Sequence, residues 1–374
     1  MRILHVTDLF RPGLGGIELF VEDLAQRQAE AGHDVTVLTA AAQRGEPDAA
    51  GPVRVVRTRP SPLHPLAPPS ARREALSGSY DVVHAHLSVL SIFATTVARW
   101  TDEAGIPTVT TVHSMWGGRR PVVRTVRALA DWDRATVGWT TVSHVAAADM
   151  LDVFRPGASV RVVPNAVDVD WWREGPARQT SERPITFITV MRLAGRKRPF
   201  ALLAMLERLR ASVPASVPLR MLVVGEGPLE ARLHKHLASR GLDGWVHLLG
   251  RRTREEIRTL YAAADVYVSP AYQESFGLAA LEARSAGLPV VAMQSGGVGE
   301  FVEDGVEGLL CRDDADMASA MAALANDSSL RARITGYNVA HRPVHDWPAV
   351  VAQFDGVYRT VGSRSRVASL DPRA

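Results

Sequence analysis

The sequence predicts an α/β protein with two doubly wound, Rossmann-like domains. Short valine-rich apolar segments alternate with amphipathic segments of helical spacing, as expected of parallel strands covered by helices. The alternation fills residues 1–165, breaks over 166–184 and resumes at 185. A chain of 374 residues also exceeds what a single hydrophobic core usually organises, so two domains are expected.

The first domain, residues 1–165, is predicted to contain a series of buried parallel strands. Ile17–Glu30 is predicted to be its first helix, because apolar residues recur at helical spacing and Gly32 follows as a stop. The predicted strands are Arg2–Thr7, Val35–Thr39, Val53–Arg57, Asp81–His84, Thr108–Val112, Thr140–Val142 and Ser159–Val163.

Residues 166–184 are predicted to be an interdomain linker, since they are polar and rich in proline and have no clear period. The second domain is assigned to 185–345. A closing amphipathic helix, 346–374, is expected to cross back to the first domain. The strands predicted in the second domain are Ile185–Val190, Leu219–Val224, Val246–Leu249, Asp265–Ser269 and Val290–Met293.

Composition limits the class of protein. The net charge of +3 is small for this length, so general nucleic-acid binding is not implied. A single cysteine, Cys311, excludes an intramolecular disulfide and fits a reducing compartment. No apolar run approaches the ~18 residues that span a bilayer, and the first strand is too short for a signal-peptide core. We therefore expect a cytoplasmic protein that is either free or peripheral on the inner membrane face.

Two carboxylates eight residues apart, Glu274 and Glu282, are the most specific feature. They flank Ser275-Phe276-Gly277-Leu278, which follows a predicted strand and opens a predicted helix. Ligands in parallel α/β sheets bind beyond the carboxyl ends of strands, and the N–H groups at a helix start suit phosphate. Carboxylates for hydroxyls beside a phosphate site predict a nucleotide-sugar pocket.

Cations and glycine turns occupy other strand ends. Arg192 and Lys197 follow the first strand of the second domain and could clamp a diphosphate; a solvated basic turn is the alternative. Gly15 and Gly16 would let backbone approach a ligand, although a tight turn alone is also possible. Glu18 stands where a dinucleotide fingerprint needs its third glycine, and no P-loop lysine follows.

Histidines follow the central strands of the first domain. His84 and His86 are predicted at the end of one strand, and His113 at the end of the next. A lone histidine of this kind is more often structural, but three near one sheet edge favour a functional site. Zinc is the competing interpretation, although the spacing lacks a usual zinc frame.

Taken in order, these motifs resemble the retaining glycosyltransferases of the GT-B fold, family 4, also called group 1. The resemblance covers nearly the whole chain, and the stretch between the two carboxylates is its most specific part. The sequence departs from the family at Met191, at Arg198-Pro199 and at Gly299. The motifs are Gly15-Gly16-x-Glu18, Arg192-x4-Lys197, Gly225-x-Gly227-Pro228, Glu274-x7-Glu282 and Gly296-Gly297-x-x-Glu300.

The resemblance implies two Rossmann-like domains facing a deep cleft and a nucleoside-diphosphate-sugar donor, with no metal or other cofactor. It implies that His113, Arg192, Lys197 and Glu274 take part in catalysis. Glu282 would hold the ribose, and Arg251 would lie near the base. The remaining donor-binding residues implied are Gly15, Gly16, Gly225, Ser275, Phe276, Gly277 and Leu278.

The acceptor is less constrained. Arg120, Arg124, Arg127 and Arg134 recur at near-helical spacing, which fits a solvated helix face, a phosphorylated acceptor or an anionic membrane surface. Glu18, His86, Arg120 and Arg124 are our candidates for acceptor contacts. The acceptor itself would be a small molecule, a glycolipid or a glycan. The alternatives are a sugar-phosphate synthase or phosphorylase-like enzyme and a non-catalytic nucleotide-sugar-binding protein.

Overall fold

The chain folds into two compact α/β units, which confirms the predicted fold class. A computed structural model describes residues 1–13, 15–43, 51–59, 66–78, 80–89, 91–130, 133, 137–175 and 183–370. The first unit combines Met1–Ala166 with Trp347–Ala374, and the second is Val167–Asp346. Each unit contains one sheet whose strand pairings are all parallel.

The described part of the first unit has a seven-stranded sheet in the order β3-β2-β1-β4-β5-β6-β7. The strand order reverses between β1 and β4, where doubly wound folds place their ligands. The strands are β1 Arg2–Thr7, β2 Asp34–Thr39, β3 Val53–Arg57, β4 Val82–Leu87, β5 Thr108–Val112, β6 Gly138–Thr141 and β7 Arg161–Val162. The helices between them are α1 Gly16–Glu30, α2 Pro69–Ala75, α3 Ile92–Glu103, α4 Arg120–Ala130 and α5 His144–Leu151.

The second unit repeats this topology with six strands in its described residues, in the order β10-β9-β8-β11-β12-β13. Its reversal point lies between β8 and β11. The strands are β8 Ile185–Val190, β9 Leu219–Val224, β10 Val246–Gly250, β11 Val266–Ser269, β12 Val290–Met293 and β13 Gly308–Cys311. The helices are α6 Val169–Arg173, α7 Pro199–Ser212, α8 Glu230–Arg240, α9 Arg254–Ala263, α10 Leu278–Ser285, α11 Asp314–Asn326 and α12 Ser328–Ala340.

The predicted linker, 166–184, is partly a helix of the second unit. Asp168 caps α6 by accepting a hydrogen bond from the Trp171 N–H at 3.0 Å. Trp172 is fully buried, with its ring 5.5 Å from that of Tyr261. The prediction was wrong here because a five-residue helix is too short to show a helical period. Residues 176–182 of the predicted linker lie outside the described residues.

The closing helix, α13 Trp347–Leu370, belongs to the first unit. Its buried face packs in one hydrophobic cluster with side chains of β1, α1, β4 and β5. Removal of these apolar side chains from water stabilises the unit. The helix contributes Trp347, Val350, Val351, Phe354, Val357, Tyr358 and Val361 to that cluster.

Candidate active site

The predicted site residues fall in both units. In the second unit, the predicted cation loop and the predicted carboxylate loop meet at the reversal point of the sheet. The Lys197 Nζ donates to Glu274 Oε2 at 2.5 Å, with the side chains 35 % and 14 % exposed. The exposed side chain of Arg192 makes no hydrogen bond or ion pair within the described residues. Both cations, the paired Lys197 and the available Arg192, thus follow β8, and the carboxylate Glu274 follows β11.

Gly277 shapes the start of α10. Its φ of +99° is left-handed, and a Cβ there would lie 2.5 Å from Val298 Cγ2, so only glycine fits without strain. The helix begins at Leu278, so Glu282 lies about one turn into it. Glu282 is 6 % exposed, so its carboxylate is largely buried.

Phe276 contributes through its backbone, because its side chain belongs to the core. The ring is 2 % exposed and lies 5.1 Å from the ring of Phe301 and 5.7 Å from that of His345. Ser275 precedes it and is partly exposed. Donor contacts at Phe276 would therefore use its N–H group, as the resemblance implies.

A glycine pair fixes the carboxylate loop from the other side. The Gly297 N–H donates to the Glu274 carbonyl at 2.8 Å, and a Cβ at Gly296 would lie 3.1 Å from Glu274 Cβ. Larger residues at these positions would displace the loop. The glycines therefore position Glu274 for its pairing with Lys197.

Gly225 joins three strand-end loops. Its φ is +126°, and a Cβ there would clash with the Met191 carbonyl. The Met191 N–H donates to the Val224 carbonyl at 3.0 Å, and the Gly225 N–H donates to the Gly250 carbonyl at 2.8 Å. Arg251 follows and forms a 3.9 Å ion pair with Glu226. Gly225 is thus needed for close packing of the loops, whether or not it contacts a donor.

Arg198 anchors the cation loop, a role that was not predicted for it. It has a left-handed backbone with φ 56°, unusual for a residue other than glycine. Its guanidinium donates to both Asp314 carboxylate oxygens at 2.9 and 2.7 Å and to the Pro270 carbonyl at 3.0 Å. It also lies 4.1 Å from the Tyr272 ring centroid. These contacts hold the residue after Lys197 in place.

Tyr267 was missed by the sequence reasoning. Its hydroxyl donates to the Val190 carbonyl at 3.5 Å, and the buried ring lies on β11. Burial raises the pKa of this hydroxyl, and the charges of Glu274 and Glu282 raise it further. A proton-bearing hydroxyl therefore lies beneath the two carboxylates. An aromatic residue in a buried strand carries no sequence signal that separates it from core.

In the first unit, the glycine loop after β1 folds around Glu18. This residue is in the first turn of α1, and a Cβ at Gly15 would clash with its carboxylate, whereas Gly16 has open space around it. Asp8 accepts hydrogen bonds from the Phe93 and Ala94 N–H groups at 3.1 and 2.9 Å, which ties the loop to the start of α3. Leu14, in the same motif, lies outside the described residues.

A buried network of histidines lies on one face of the first sheet. The His5 Nδ1 and His86 Nε2 atoms are 2.9 Å apart, and His86 Nδ1 is 3.1 Å from His113 Nε2. His5 Nε2 is 2.7 Å from Gln28 Oε1. His5 and Gln28 were not predicted as site residues. A histidine within a strand and a glutamine within a helix can be recognised as part of a network only from their contacts in the folded chain.

Burial keeps these imidazoles neutral at pH 7. Desolvation lowers the pKa of His5 to about 4 and that of His113 to about 3. The pKa values of His84 and His86 are also well below the usual range, first through burial and then through the neighbouring imidazoles. The imidazoles are therefore linked by hydrogen bonds and carry no charge at pH 7.

The position of His86 differs from its predicted contact with an acceptor. The ring is 1 % exposed, and both of its nitrogens share hydrogen bonds with other histidines. His113 lies at the end of the chain of rings and is 6 % exposed. Strand alternation points His86 into the covered face of the sheet, so we expect it to act only through His113.

The histidines that could bind zinc differ from the three considered in the sequence, since His5 takes the place of His113. His5, His84 and His86 are the group of described residues whose ligand atoms lie within 4.8 Å of one another. Every ring nitrogen of the three shares a hydrogen bond with a histidine, Gln28, Tyr358 or Thr111. Hydrogen bonding therefore accounts for their proximity.

Arg120 and Arg124 have partners in their own unit. Arg120 forms a 3.0 Å ion pair with Asp149 and a second ion pair with Asp152. Arg124 donates to the Asp152 carbonyl at 2.7 Å. An anionic acceptor would compete with these contacts. Arg134 lies outside the described residues.

Family models match the two halves of the chain. The model described as Glycosyltransferase Family 4 covers residues 14–171, and the one described as Glycosyl transferases group 1 covers residues 173–340. A D-inositol 3-phosphate glycosyltransferase of Acidothermus cellulolyticus is 30 % identical, over 99 % of this chain and 91 % of its own. A glycogen synthase of Mycobacterium tuberculosis is 29 % identical, over 96 % and 94 % respectively.

Solved structures share the fold. Anabaena HepE in complex with UDP-glucose superposes with a TM-score of 0.76 at 22 % identity, over 97 % of this chain and 100 % of that one. WaaG, a glycosyltransferase of lipopolysaccharide biosynthesis, gives a TM-score of 0.71 at 18 % identity, over 94 % and 98 %. No described helix is long and apolar enough to cross a membrane.

Proposed function

This chain belongs to the group 1, family 4 glycosyltransferases, and from that premise we propose that it is a retaining enzyme using a nucleoside-diphosphate hexose. It would transfer the hexose to an acceptor hydroxyl. The observation that carries the proposal is the Lys197–Glu274 pair at the reversal point of the second sheet, with Arg192 available beside it.

The cations would stabilise the leaving diphosphate. Cleavage of a sugar–phosphate bond develops negative charge on the diphosphate, and fixed donors favour that transition state over the ground state. Arg192 can bind phosphate with two N–H groups, and Lys197 can act as a point charge. The N–H groups of residues 276–278 would add to the same phosphate site.

The two carboxylates would hold hydroxyl groups. Glu274 is partly exposed and paired with Lys197, so it suits the sugar next to the diphosphate. Glu282 is more buried and suits the ribose. We propose that the acceptor attacks on the face from which the diphosphate leaves, without a covalent intermediate. A sugar adduct trapped on Glu274 would contradict this mechanism.

The donor is best sought first among UDP-hexoses. Anabaena HepE was crystallised with UDP-glucose, which supports this order of testing. Thermal shift and donor turnover would be measured with UDP-, GDP- and ADP-sugars, because a specific ligand stabilises the folded chain. Turnover of one donor is the expected result. Stabilisation without turnover by any donor would favour the non-catalytic binding protein instead.

Metal should not be required, because Arg192, Lys197 and the start of α10 supply positive charge at the phosphate site. The test is donor turnover after treatment with a chelator, with metal content measured on the same sample. Activity lost to the chelator and restored by one divalent ion would contradict the proposal.

The acceptor class remains to be assigned by product analysis. Relatives are named for D-inositol 3-phosphate and for glycogen, so these two compounds are the first acceptors to test by mass spectrometry. Arg120 and Arg124 are already paired, which favours an acceptor whose phosphate, if present, binds elsewhere. Product formed on glycogen alone would place the enzyme with the glucan synthases.

A further inference from the structure

The histidines of the first unit belong to one continuous chain of hydrogen bonds. Beyond Gln28, its Nε2 donates to the Tyr358 hydroxyl at 3.1 Å, and that hydroxyl lies 2.8 Å from His84 Nδ1. His84 Nε2 lies 2.7 Å from Thr111 Oγ1. The chain ends with Thr140, 2.5 Å from Thr111. It therefore runs without a gap from His113 to β6.

Strand register explains how the chain assembles. His84 and His86 are two residues apart on β4 and so project from the same face. His5 pairs with His84 across β1 and β4, and Thr111 pairs with His86 across β4 and β5. Gln28 of α1 and Tyr358 of α13 reach this face from the covering helices.

Neutral imidazole has one donor nitrogen and one acceptor nitrogen, so each link fixes the next. The Gln28 amide sets the direction, since its oxygen faces His5 and its NH₂ group faces Tyr358. His5 therefore donates from Nε2 and accepts at Nδ1. His86 then donates from Nε2 to His5 and accepts at Nδ1.

At the end of this series of hydrogen bonds, His113 must donate from Nε2 to Nδ1 of His86. Its other ring nitrogen, Nδ1, is then unprotonated, and it makes no hydrogen bond within the residues that the structure describes. The opposite direction would need the Gln28 amide turned over. It would also leave the Thr140 hydroxyl unable to donate to the Thr110 carbonyl, which lies 3.4 Å away.

We propose that Gln28, acting through His5 and His86, holds His113 in its Nε2–H tautomer, so that Nδ1 is an acceptor for a sugar hydroxyl. Gln28, His5 and His86 are then positioning residues. The inference rests on the proposed function in one respect, because it takes the ligand of His113 to be a sugar hydroxyl of the proposed donor. A hydroxyl can donate to this nitrogen, whereas a phosphate or carbonyl oxygen cannot.

The tautomer can be measured without a substrate. Imidazole ¹⁵N and ¹³C shifts distinguish the two neutral forms, and the signals of His113 are assigned by their loss in His113→Asn. We expect the Nε2–H form in the wild-type chain at pH 7. Observation of the Nδ1–H form would overturn the proposal outright.

Gln28→Met removes the amide while keeping a side chain of similar length. We expect His113 to become a mixture of tautomers in this variant. Thr111→Val is the matched control, because it removes two hydrogen bonds, to His84 and Thr140, from the arm of the same network that does not lead to His113. Its His113 tautomer should match that of the wild type. A tautomer unchanged in Gln28→Met would contradict the proposal.

Kinetics give a second readout, with UDP-glucose or whichever donor sugar is turned over. Gln28→Met should lower kcat by about tenfold, the scale of one lost hydrogen bond, while Thr111→Val stays within about twofold. His86→Leu should lower kcat in the same way. His86→Asn should restore part of it, since an amide oxygen can replace the acceptor nitrogen.

These outcomes separate the two proposals. If no nucleotide sugar is turned over, the proposed function fails, while the imidazole shifts still decide the tautomer. If turnover is found and Gln28→Met and Thr111→Val lose activity equally, the network is a structural support and the positioning role is wrong.

Discussion

The two units share one sheet topology but present opposite chemistry at their reversal points. In the first unit, neutral imidazoles occupy the face beside that point and burial keeps them uncharged. In the second unit, a lysine and a carboxylate form a partly exposed ion pair with an available arginine nearby. In both units the fold determines where these residues lie, and their side chains determine the chemistry. We call the histidine network of the first unit the neutral half, and the Lys197–Glu274 pair with Arg192 the electrostatic half.

The largest effect should come from breaking the electrostatic half. If Lys197 binds the leaving diphosphate as we propose, Lys197→Ala removes that donor, and we expect the transition state to lose about 2.7–4 kcal/mol, or 10²–10³ in kcat. Lys235→Ala is the matched control, because Lys235 is the chain's other lysine and lies exposed on α8. Steady-state donor turnover measures both. Equal activity of the two variants would remove Lys197 from the site.

The next test separates the two carboxylates of the second unit. Glu274→Gln should mainly lower kcat, since we propose that this residue, paired with Lys197, holds the sugar next to the diphosphate. Glu282→Gln should mainly raise the donor's dissociation constant, by about tenfold for one charge-assisted hydrogen bond. Titration calorimetry and turnover on both variants give the comparison. The reverse pattern would exchange the roles that we assign.

The neutral half should make the first unit sensitive to acid. The unfolded chain binds protons at histidine near pH 6.5, whereas folded His5 and His113 do so only near pH 4 and 3. The contribution of these residues to the free energy of unfolding is therefore largest above pH 6.5. It decreases as the pH is lowered below 6.5, by up to about 1.4 kcal/mol per pH unit for each histidine.

Urea unfolding at pH 7.5 and 5 measures this dependence. His5→Gln should unfold with a smaller difference between the two pH values than the wild type. His234→Gln, which replaces an exposed histidine of α8, should leave the difference unchanged. A wild-type chain equally stable at both pH values would show that the histidines are not held neutral by folding.

A smaller effect is expected at Arg198, which supports the electrostatic half. Arg198→Ala loses the Asp314 ion pair and keeps a left-handed backbone, which costs a non-glycine residue roughly 1–2 kcal/mol. Arg198→Gly loses the same ion pair without that cost. We therefore expect Arg198→Gly to be the more stable variant in thermal unfolding, by about 1 kcal/mol. Equal stability would mean that the left-handed backbone does not persist in the alanine variant.

The smallest effect concerns the surface of the first unit. Val122 and Val126 are 60 % and 44 % exposed on α4, beside the arginines considered for a membrane surface. We propose weak binding of this helix to anionic lipid. Replacing both valines by serine should reduce co-sedimentation with phosphatidylglycerol vesicles a few-fold and change stability by less than about 0.5 kcal/mol. Unchanged sedimentation would exclude α4 from membrane contact.

Sequence patterns located several of the buried strands correctly. The limits of β1, β8, β9 and β12 match the predicted segments, because buried parallel strands form continuous apolar runs. The elements between Met293 and the closing helix were not predicted. There β13 has four residues, and α11 and α12 carry alanine and polar residues without a strong apolar period.

Many residues of the site could be predicted from the sequence, but the contacts between them could not. Glu274 and Lys197 were each identified from their motifs, yet they are 77 positions apart and nothing in the sequence pairs them. His5 was overlooked because only strand register places it beside His84 and His86. Arg198 was underestimated because its left-handed backbone is a property of the folded loop.

The return of α13 to the first unit sets an order of assembly during synthesis. The second unit is one uninterrupted stretch, Val167–Asp346, so all its strands emerge before the first unit is complete. Tyr358, which links Gln28 to His84, is made only after the whole of the second unit. The imidazoles would therefore lack their full set of partners until α13 has been made, and a nascent chain that stalls before α13 would hold a closed second unit and an unfinished first one.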